Sequence, residues 1–257
     1  MTEPVLLSRE GEIAIVTLNE PERRNALSLN MREVLFEVLD KAMASDARAI
    51  VLAGAGGNFC SGGDIKSFDP GAPLVEIRDR LNRLHRVARI LLTGTKPVIA
   101  AVDGYAFGAG VSLALACDHV VAAKDSRFCA SFNRVALMGD LGLLYTLPLR
   151  VGMGKARELL MLGEIVEAAE ALTIGLVDRL VEPGRVLKAA IERAKLFAAS
   201  PPVALAMTKS ALARMPASLD EVLQMELDGQ SALFQTADHA EGRAAFLEKR
   251  APTFQGR

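Results

Sequence analysis

Short apolar runs alternate with longer segments of helical period along the first half of the chain. Residues 12–18 alternate in polarity and are rich in Ile and Val, and compact apolar runs follow at 49–52, 97–102 and 119–122. Such runs predict β-strands. Between them, residues 28–43 and 74–92 carry apolar side chains at helical spacing, with Ser28 as the cap of the first helix. Strands that alternate with helices predict an α/β fold built on a mostly parallel sheet.

From about Gly142 onward the pattern becomes helical. Helices are predicted over residues 155–162, 168–174, 185–199, 202–214, 219–234 and 240–249, with one short strand over 177–181. Glycine and proline residues separate these helices. We expect a core over residues 1–199 and a C-terminal helical region over residues 200–257 that assembles subunits.

Composition and charge narrow the class of protein. The 257 residues are 51% hydrophobic and 24% charged, which is typical of a globular chain. Thirty Lys and Arg residues nearly balance 31 Asp and Glu residues, so nothing favours nucleic acid as a partner. Cys60, Cys117 and Cys129 lack the paired spacing of zinc or redox sites, and the acidic N-terminus lacks the features of a signal peptide. We therefore expect a cytoplasmic protein.

One segment approaches the length of a membrane span. Residues 98–117 contain a single charged side chain, that of Asp103. Glycines at positions 104, 108 and 110 are turn signals that divide the segment. The sequence therefore predicts a buried strand followed by a short helix, and no membrane partner.

Several motifs for cofactors and metals are incomplete. Residues 152–155 lack the first glycine and the final Ser or Thr of a P-loop, and residues 54–57 lack the third glycine of a dinucleotide fingerprint. His85, His119 and His239 have no ligand spacing. We expect His119 to be packed in a strand and the other two to be solvated on helix surfaces, with no metal site.

Residues 110–114 differ by one residue from the nucleophile elbow of serine hydrolases. Asp178 and His239 follow Ser112 in the chain order that such enzymes use. An elbow, however, needs a strand that runs directly into the serine, and the predicted strand ends near Val102. A small packed residue is the favoured interpretation of Ser112, and a serine hydrolase remains an alternative.

Two glycine-rich loops each follow a predicted buried strand. The first covers residues 53–64 and the second covers residues 103–110, which lead into a helix over 111–116. Backbone without side chains can direct N–H groups into a pocket, and two such groups facing each other would form an oxyanion hole. Either loop alone is better explained by tight turns, but together they favour this catalytic interpretation.

At these loops the sequence resembles the crotonase superfamily, also called the enoyl-CoA hydratase/isomerase family. The resemblance spans nearly the whole chain and is carried by residues 21–27, 59–66, 96–118, 139–142 and 246–252. It implies a crotonase-like spiral of ββα units followed by C-terminal helices that form a homotrimer or a dimer of trimers.

The resemblance also implies an acyl-CoA thioester as substrate, whose carbonyl oxygen lies between the amides of Gly63 and Ala109. The nucleotide of coenzyme A, which is part of the substrate rather than a separate cofactor, is expected near Arg24 and Lys66, with Arg23 and a neighbouring subunit's Lys249 as further candidates. The expected substrate-binding residues are Arg24, Ala26, Leu27, Ser61, Gly63, Asp64, Ile65, Lys66, Phe107, Ala109, Phe132, Leu137 and Lys249.

Departures from the family pattern bear on the reaction. The positions of the two catalytic glutamates of the hydratases hold Ser112 and Phe132, neither of which can activate water. Asp140 stands where some family isomerases place a catalytic aspartate. The resemblance therefore implies an enoyl-CoA isomerase in which Asp140 is the acid and base, with a pKa raised by apolar neighbours that include Leu137 and Leu141.

Other interpretations remain open from the sequence. Asp140 could instead cap a helix over residues 141–147. The chain could also be a hydratase, another crotonase-type enzyme, or a catalytically silent acyl-CoA-binding protein. The acyl tail is expected near residues 74–92, Leu137 and Tyr145.

Overall fold

A computed structural model describes residues 3–67, 69 and 71–257 of the chain. The strands, in chain order, are β1 (Val5–Glu10), β2 (Ile13–Leu18), β3 (Ala49–Gly54), β4 (Val98–Val102), β5 (Tyr105–Phe107), β6 (His119–Ala123), β7 (Arg127–Cys129), β8 (Ile165–Glu167) and β9 (Arg179–Val181). The helices are α1 (Leu29–Ala44), α2 (Leu74–Thr93), α3 (Ala109–Ala116), α4 (Leu143–Leu162), α5 (Ala168–Thr173), α6 (Val186–Ala198), α7 (Pro202–Leu212), α8 (Leu219–Leu233) and α9 (Ala237–Glu248). A non-helical Gly152 kinks α4.

The main sheet has six strands in the order β1-β2-β3-β4-β6-β9. Only β1 runs antiparallel to its neighbour, and the other adjacent pairs in this sheet are parallel. The mostly parallel sheet predicted from the sequence is therefore confirmed. The predicted strand over 177–181 begins later, at Arg179, because the amide of Val177 still donates to the Ala171 carbonyl at the end of α5.

Alternate residues of the strands build two separate cores, because successive side chains point to opposite faces of a sheet. On one face, side chains such as Ile13, Val51 and Ile99 pack against α6. On the other face, side chains such as Val16, Leu52 and Ala100 join a larger cluster with buried residues of α1, α2 and α3. Helices on both sides explain why the central strands are apolar throughout.

A second sheet, in the order β5-β7-β8, stands beside the first. Strand β4 is followed by β5 and α3, and β6 is followed by β7 and α4, so that a strand of each sheet precedes a helix. This repetition is the spiral of ββα units that the sequence predicts. Residues 98–117 contain the expected strand and helix, β4 and α3, with the unpredicted strand β5 between them. Within the described chain no helix is long and apolar enough to cross a membrane.

The C-terminal helices form a separate layer outside the sheet. Helix α7 packs on α2 and on α8, and α8 begins with a reciprocal capping box between Ser218 and Glu221. Helix α9 starts at Ala237, three residues before its predicted start, because the Thr236 side chain accepts a hydrogen bond from the His239 amide. The division of the chain at residue 199 stays a prediction.

Candidate active site

The two glycine loops lie side by side at the carboxyl ends of β3 and β4. The amide of Phe59 donates to the Asp103 carbonyl at 2.8 Å, and the amide of Cys60 donates to the Tyr105 carbonyl at 2.9 Å. Cys60 and Ala106 thus form a parallel bridge that extends the second sheet. Because neighbouring parallel strands end at one edge of the sheet, two loops distant in sequence become adjacent.

Asn25 fixes the shape of the first loop. Its side chain is fully buried, and its backbone has φ of 55°. The Nδ2 group donates to the carbonyls of Ala55 at 2.9 Å and Asn58 at 2.7 Å, while Oδ1 accepts from the Glu20 amide at 3.0 Å. Asparagine tolerates this left-handed conformation better than most residues. The Asn25-Ala26-Leu27 segment therefore acts as the inner support of the loop.

Gly62 and Gly108 allow the two loops to touch. Their φ angles are 105° and 51°, which disfavour residues with a side chain. A Cβ atom at position 62 would stand 2.8 Å from the Phe107 carbonyl oxygen, and one at position 108 would stand 3.8 Å from the Gly62 Cα. The close approach requires glycine at position 62 in particular.

The amides of Gly63 and Ala109 follow directly after this contact. Leu27 donates to the Gly62 carbonyl at 2.8 Å and accepts from the Asp64 amide at 3.3 Å, so the Gly63 N–H points away from Leu27. Ala109 is the first residue of α3, where an N–H group has no acceptor within the helix. Neither amide donates a hydrogen bond to the residues that the structure describes. Two adjacent donors are thus available to an oxygen atom.

Asp140 lies in the turn before α4. Helix α4 begins at Leu143 with Gly142 as its N-cap, and no side chain caps it. The interpretation of Asp140 as a helix cap is therefore wrong. Its Oδ1 atom is buried and has no hydrogen-bond partner among the described residues. Burial raises the pKa of the Asp140 carboxyl, as expected, and the charges of Arg32 and His85 act in the opposite direction.

Arg32 and His85 are the two site residues that the sequence interpretation missed. Arg32, on α1, is half-buried, and this burial lowers the pKa of its guanidinium. The negative charges of Asp140 and Asp64 oppose the change in part. His85, on α2, is half-buried beside Asp140 rather than solvated on a surface. A signal for Arg32 existed, because it lies at helical spacing from the buried Leu35 and Leu39.

The basic residues predicted for the nucleotide differ in their engagement. Arg24 lies over the Tyr105 ring, with its Cζ atom 5.4 Å from the ring centroid, and its carbonyl accepts from the Ser61 amide. Lys66 is exposed in a short 3-10 helix. Arg23 forms an ion pair with the largely buried carboxylate of Asp64. Arg23 is therefore committed to the protein, while Lys66 extends into solvent.

The remaining predicted residues fall into three groups, which are buried, exposed and half-buried. Leu27 and Ala109 are buried within the loops, while Ile65 is 59% exposed beside Lys66. Leu137, 50% exposed, lies between Phe132 and Asp140. The remaining three, Ala26, Phe107 and Phe132, are half-buried.

Lys249 ends α9 in a left-handed conformation with φ of 56°. In the described part of the chain, no hydrogen bond or ion pair joins it to residues 23–66. This single chain therefore does not unite Lys249 with the other basic residues predicted for the nucleotide.

The serine hydrolase interpretation is not supported by the geometry. Ser112 is fully buried inside α3, and its Oγ atom donates to the Gly108 carbonyl at 3.4 Å. Asp178 instead accepts from Arg150, and the His239 ring packs against Phe234. The three side chains have other partners and do not form a triad.

The fold and the paired amides define the class of protein. The sequence profile described as enoyl-CoA hydratase/isomerase matches residues 8–257. The chain is 34% identical to 1,2-epoxyphenylacetyl-CoA isomerase of Escherichia coli (strain K12), over 100% of both chains. It is also 34% identical to short-chain-enoyl-CoA hydratase of Clostridium acetobutylicum, over 96% of this chain and 95% of the relative.

A solved structure gives the same result. The crystal structure of an enoyl-CoA hydratase from Polaromonas sp. JS666 superposes with a TM-score of 0.92 at 36% identity, over 98% of this chain and 99% of that chain. The chain belongs to the enoyl-CoA hydratase/isomerase family. It is an enzyme of that family with an acyl-CoA thioester as its substrate.

Proposed function

We propose that the chain is an enoyl-CoA isomerase that moves a double bond along an enoyl-CoA thioester, with Asp140 as its acid and base. The observation that carries the proposal is the Asp140 carboxyl, which is half-buried in the turn before α4 and has an Oδ1 atom without a partner among the described residues. A carboxylate with one oxygen buried and unpartnered in this way is suited to accept a proton from a ligand.

The proposed reaction needs one base and one oxyanion site. The ionised Asp140 removes a proton from the carbon between the thioester carbonyl and the double bond, and the electron pair moves onto the carbonyl oxygen. The amides of Gly63 and Ala109 donate to that oxygen and stabilise the dienolate. Asp140 then returns the same proton two carbons farther along, so the double bond moves and no other reactant is consumed.

Burial prepares Asp140 for both halves of this cycle. A carboxyl with an ordinary pKa is a weak base, and desolvation raises the pKa of Asp140 towards that of the acid it must become. Arg32 and His85 limit this rise, and the carboxyl therefore remains able to ionise.

Hydration is disfavoured because the site lacks the second catalytic group that this reaction needs. Adding water to a double bond requires one group to activate the water and another to handle the α-proton. Ser112 is buried and donates to a main-chain carbonyl, and the Phe132 side chain has no group that can donate or accept a proton. The relatives include both hydratases and an isomerase, so a hydratase is the second candidate that the experiment must distinguish.

For the coenzyme A part of the substrate we propose contacts from both sides of the first loop. Arg24 and the exposed Lys66 would reach the phosphates, and Ile65 would cover the apolar part of the coenzyme. We include Lys249 as a contact from a neighbouring subunit. We include the other predicted substrate-binding residues in the proposal as further contacts of the thioester.

A homotrimer, or a dimer of trimers, completes the proposal. Leu219, Leu223 and Leu227 are between 51% and 71% exposed and repeat every four residues along α8, forming an apolar stripe on its surface. Phe234, at 63% exposure, extends it. Light scattering on the purified protein measures the assembly, and a monomer would contradict this part of the proposal.

Replacing Asp140 with Asn tests the reaction. Asp140→Asn should lower kcat for a 3-enoyl-CoA by about 10²- to 10⁴-fold, the usual contribution of a general acid and base, while binding of the thioester changes little. Formation of the conjugated 2-enoyl-CoA is followed by ultraviolet absorbance, and binding by calorimetry. Asp40→Asn, an exposed change on α1, is the matched control.

Each result has a distinct meaning. Unchanged turnover in Asp140→Asn would remove Asp140 from the mechanism. Faster hydration of a 2-enoyl-CoA than isomerisation by the unmodified protein would favour the hydratase. Binding with no turnover of any acyl-CoA would identify a catalytically silent binding protein.

A further inference from the structure

Arg32 is a cation on the buried side of α1. Its neighbours on that side, Met31, Leu35 and Leu39, are fully buried, and Arg32 itself is half-buried. Placing a charged group among apolar side chains costs free energy unless other groups compensate for the lost hydration. An arginine at this position therefore needs partners, and the structure provides them at the candidate site.

The first partner is the main chain beside the Gly63 amide. The Nε atom of Arg32 donates to the Leu27 carbonyl at 3.0 Å. The same carbonyl accepts from the Asp64 amide at 3.3 Å, and the Leu27 amide donates to the Gly62 carbonyl at 2.8 Å. Arg32 is thus bonded to the short bridge that sets the orientation of Gly63.

The second interaction of Arg32 is electrostatic and involves the carboxylate of Asp140. The charge of Arg32 interacts with that of Asp140 and, to a smaller extent, with that of Asp64. The charge of His85, on α2, also lowers the pKa of Asp140. Arg80, on the same helix, repels the positive charge of Arg32 and lowers the pKa of its guanidinium. Arg80 is itself paired with Glu76.

The thiol of Cys60 also lies near Arg32. Burial raises the pKa of that thiol to about 12, so it is neutral at ordinary pH. The neutral thiol does not compete with Asp140 for the charge of Arg32. Arg32 itself remains a cation, because a guanidinium stays protonated even where burial lowers its pKa.

We propose that Arg32 is a positioning residue that connects the two halves of the active site, because it holds the Gly63 segment through the Leu27 carbonyl and carries its positive charge near Asp140. The inference rests on the proposed isomerase function. Arg32 does not need to touch the reacting atoms, because it acts on the Gly63 segment through its hydrogen bond to the Leu27 carbonyl.

The pH dependence of kcat/KM separates this role from a merely structural one. Asp140 must be ionised to accept a proton, so kcat/KM falls as the pH drops through its pKa. Arg32→Gln removes a charge that favours the ionised form, and this acidic limb should move to higher pH by about one unit. Arg83→Gln is the matched control, because Arg83 is an exposed arginine of α2 paired with Glu33, and its limb should not move.

Arg32→Lys tests the hydrogen bond separately from the charge. Lysine keeps the positive charge but not the planar guanidinium that bonds Leu27, so the acidic limb should stay in place while kcat falls several-fold. The variant also serves if Arg32→Gln does not fold. A wild-type kcat in Arg32→Lys would overturn the positioning of Gly63, and an unmoved limb in Arg32→Gln would overturn the link to Asp140.

A measurement that does not need turnover keeps the two proposals apart. Carbon-13 NMR of the Asp140 carboxyl, assigned with Asp140→Asn, gives its titration midpoint directly, and Arg32→Gln should raise that midpoint by about one pH unit. A shifted midpoint in a protein that isomerises nothing would sustain the link and refute the reaction. An active enzyme with an unshifted midpoint would do the reverse.

Discussion

The two ends of the central strands treat their acidic side chains in opposite ways. At the amino ends of β4 and β6, Asp118 accepts from the Val98 amide at 2.7 Å and from Lys209 at 2.6 Å. Asp178 likewise accepts from the Val120 amide at 2.7 Å and from Arg150 at 3.0 Å. At the carboxyl ends, the buried Oδ1 of Asp140 has no such donor among the described residues.

The difference separates groups that stabilise the fold from groups kept for a ligand. Paired carboxylates at the amino ends complete the hydrogen bonds of strand amides that would otherwise be unsatisfied. At the carboxyl ends, the amides of Gly63 and Ala109 and the Oδ1 atom of Asp140 have no hydrogen-bond partner in the described chain. Unsatisfied polar groups cost stability, so their concentration at one edge indicates the reacting edge.

Beyond the Asp140→Asn test, the largest expected effect comes from deleting one of the free amides. Ala109→Pro removes the N–H at the first position of α3, where proline is well tolerated in a helix. If that amide binds the enolate oxygen, kcat/KM for an enoyl-CoA should fall by about 10²- to 10³-fold. Steady-state kinetics measure the loss, and circular dichroism checks that the fold is kept.

Ala109→Gly is the control for this variant. It changes the side chain and keeps the amide, so kcat/KM should stay within a few-fold of the unmodified enzyme. Equal losses in both variants would show that the side chain, and not the amide, is what matters at position 109.

The opposite edge should respond in stability and not in rate. Lys209 is 8% exposed at its side chain and also donates to the Lys96 carbonyl at 2.9 Å. Lys209→Met leaves Asp118 without its cation and should lower the free energy of unfolding by about 3 kcal/mol. Urea denaturation measures this change, while kcat should remain unchanged.

Lys188→Met is the matched control, since Lys188 is an exposed lysine of α6. It should change the free energy of unfolding by less than about 0.5 kcal/mol. A loss of kcat in Lys209→Met with unchanged stability would contradict the separation of the two edges.

The smallest effect is a gain in stability when Asp140 is made neutral. Folding raises the pKa of the Asp140 carboxyl, so the ionised group costs stability once the pH exceeds that pKa. Asp140→Asn should therefore increase the free energy of unfolding at pH 7 by about 1 kcal/mol, a common exchange of activity for stability. The gain should shrink as the pH falls towards the ordinary carboxyl pKa.

Thermal unfolding at several pH values measures this gain. A difference between Asp140→Asn and the unmodified chain that does not depend on pH would mean that Asp140 titrates as it does in the unfolded chain. The exposed Asp40→Asn variant is the matched control for this comparison.

The sequence was sufficient for the elements that pack on both faces of the sheet. Strands β2, β3, β4 and β6 were predicted from short apolar segments, helices α1 and α2 from apolar residues at helical spacing, and α3 from the glycine turn signals before it. Strands β5, β7 and β8 were not, since each has three residues and no period can be recognised at that length.

The candidate site was predictable only in part. The glycine loops carry a local signal, because φ above zero and close backbone contact need glycine. The association of Arg32 and His85 with Asp140 has no such signal, because it depends on how α1 and α2 pack against the turn before α4. The alternative interpretation of Asp140 as a helix cap failed because Gly142, with φ of 80°, ends the turn and occupies the N-cap position.

The use of main-chain donors has a consequence for mutational surveys. At Gly63 and Ala109 every residue except proline retains an N–H group. A scan that truncates side chains one by one would therefore not detect either position, although their amides form the proposed oxyanion hole. The residue types allowed at these two positions are limited by the available space and the backbone angles. Any residue that fits, other than proline, keeps the N–H group that the proposed chemistry needs.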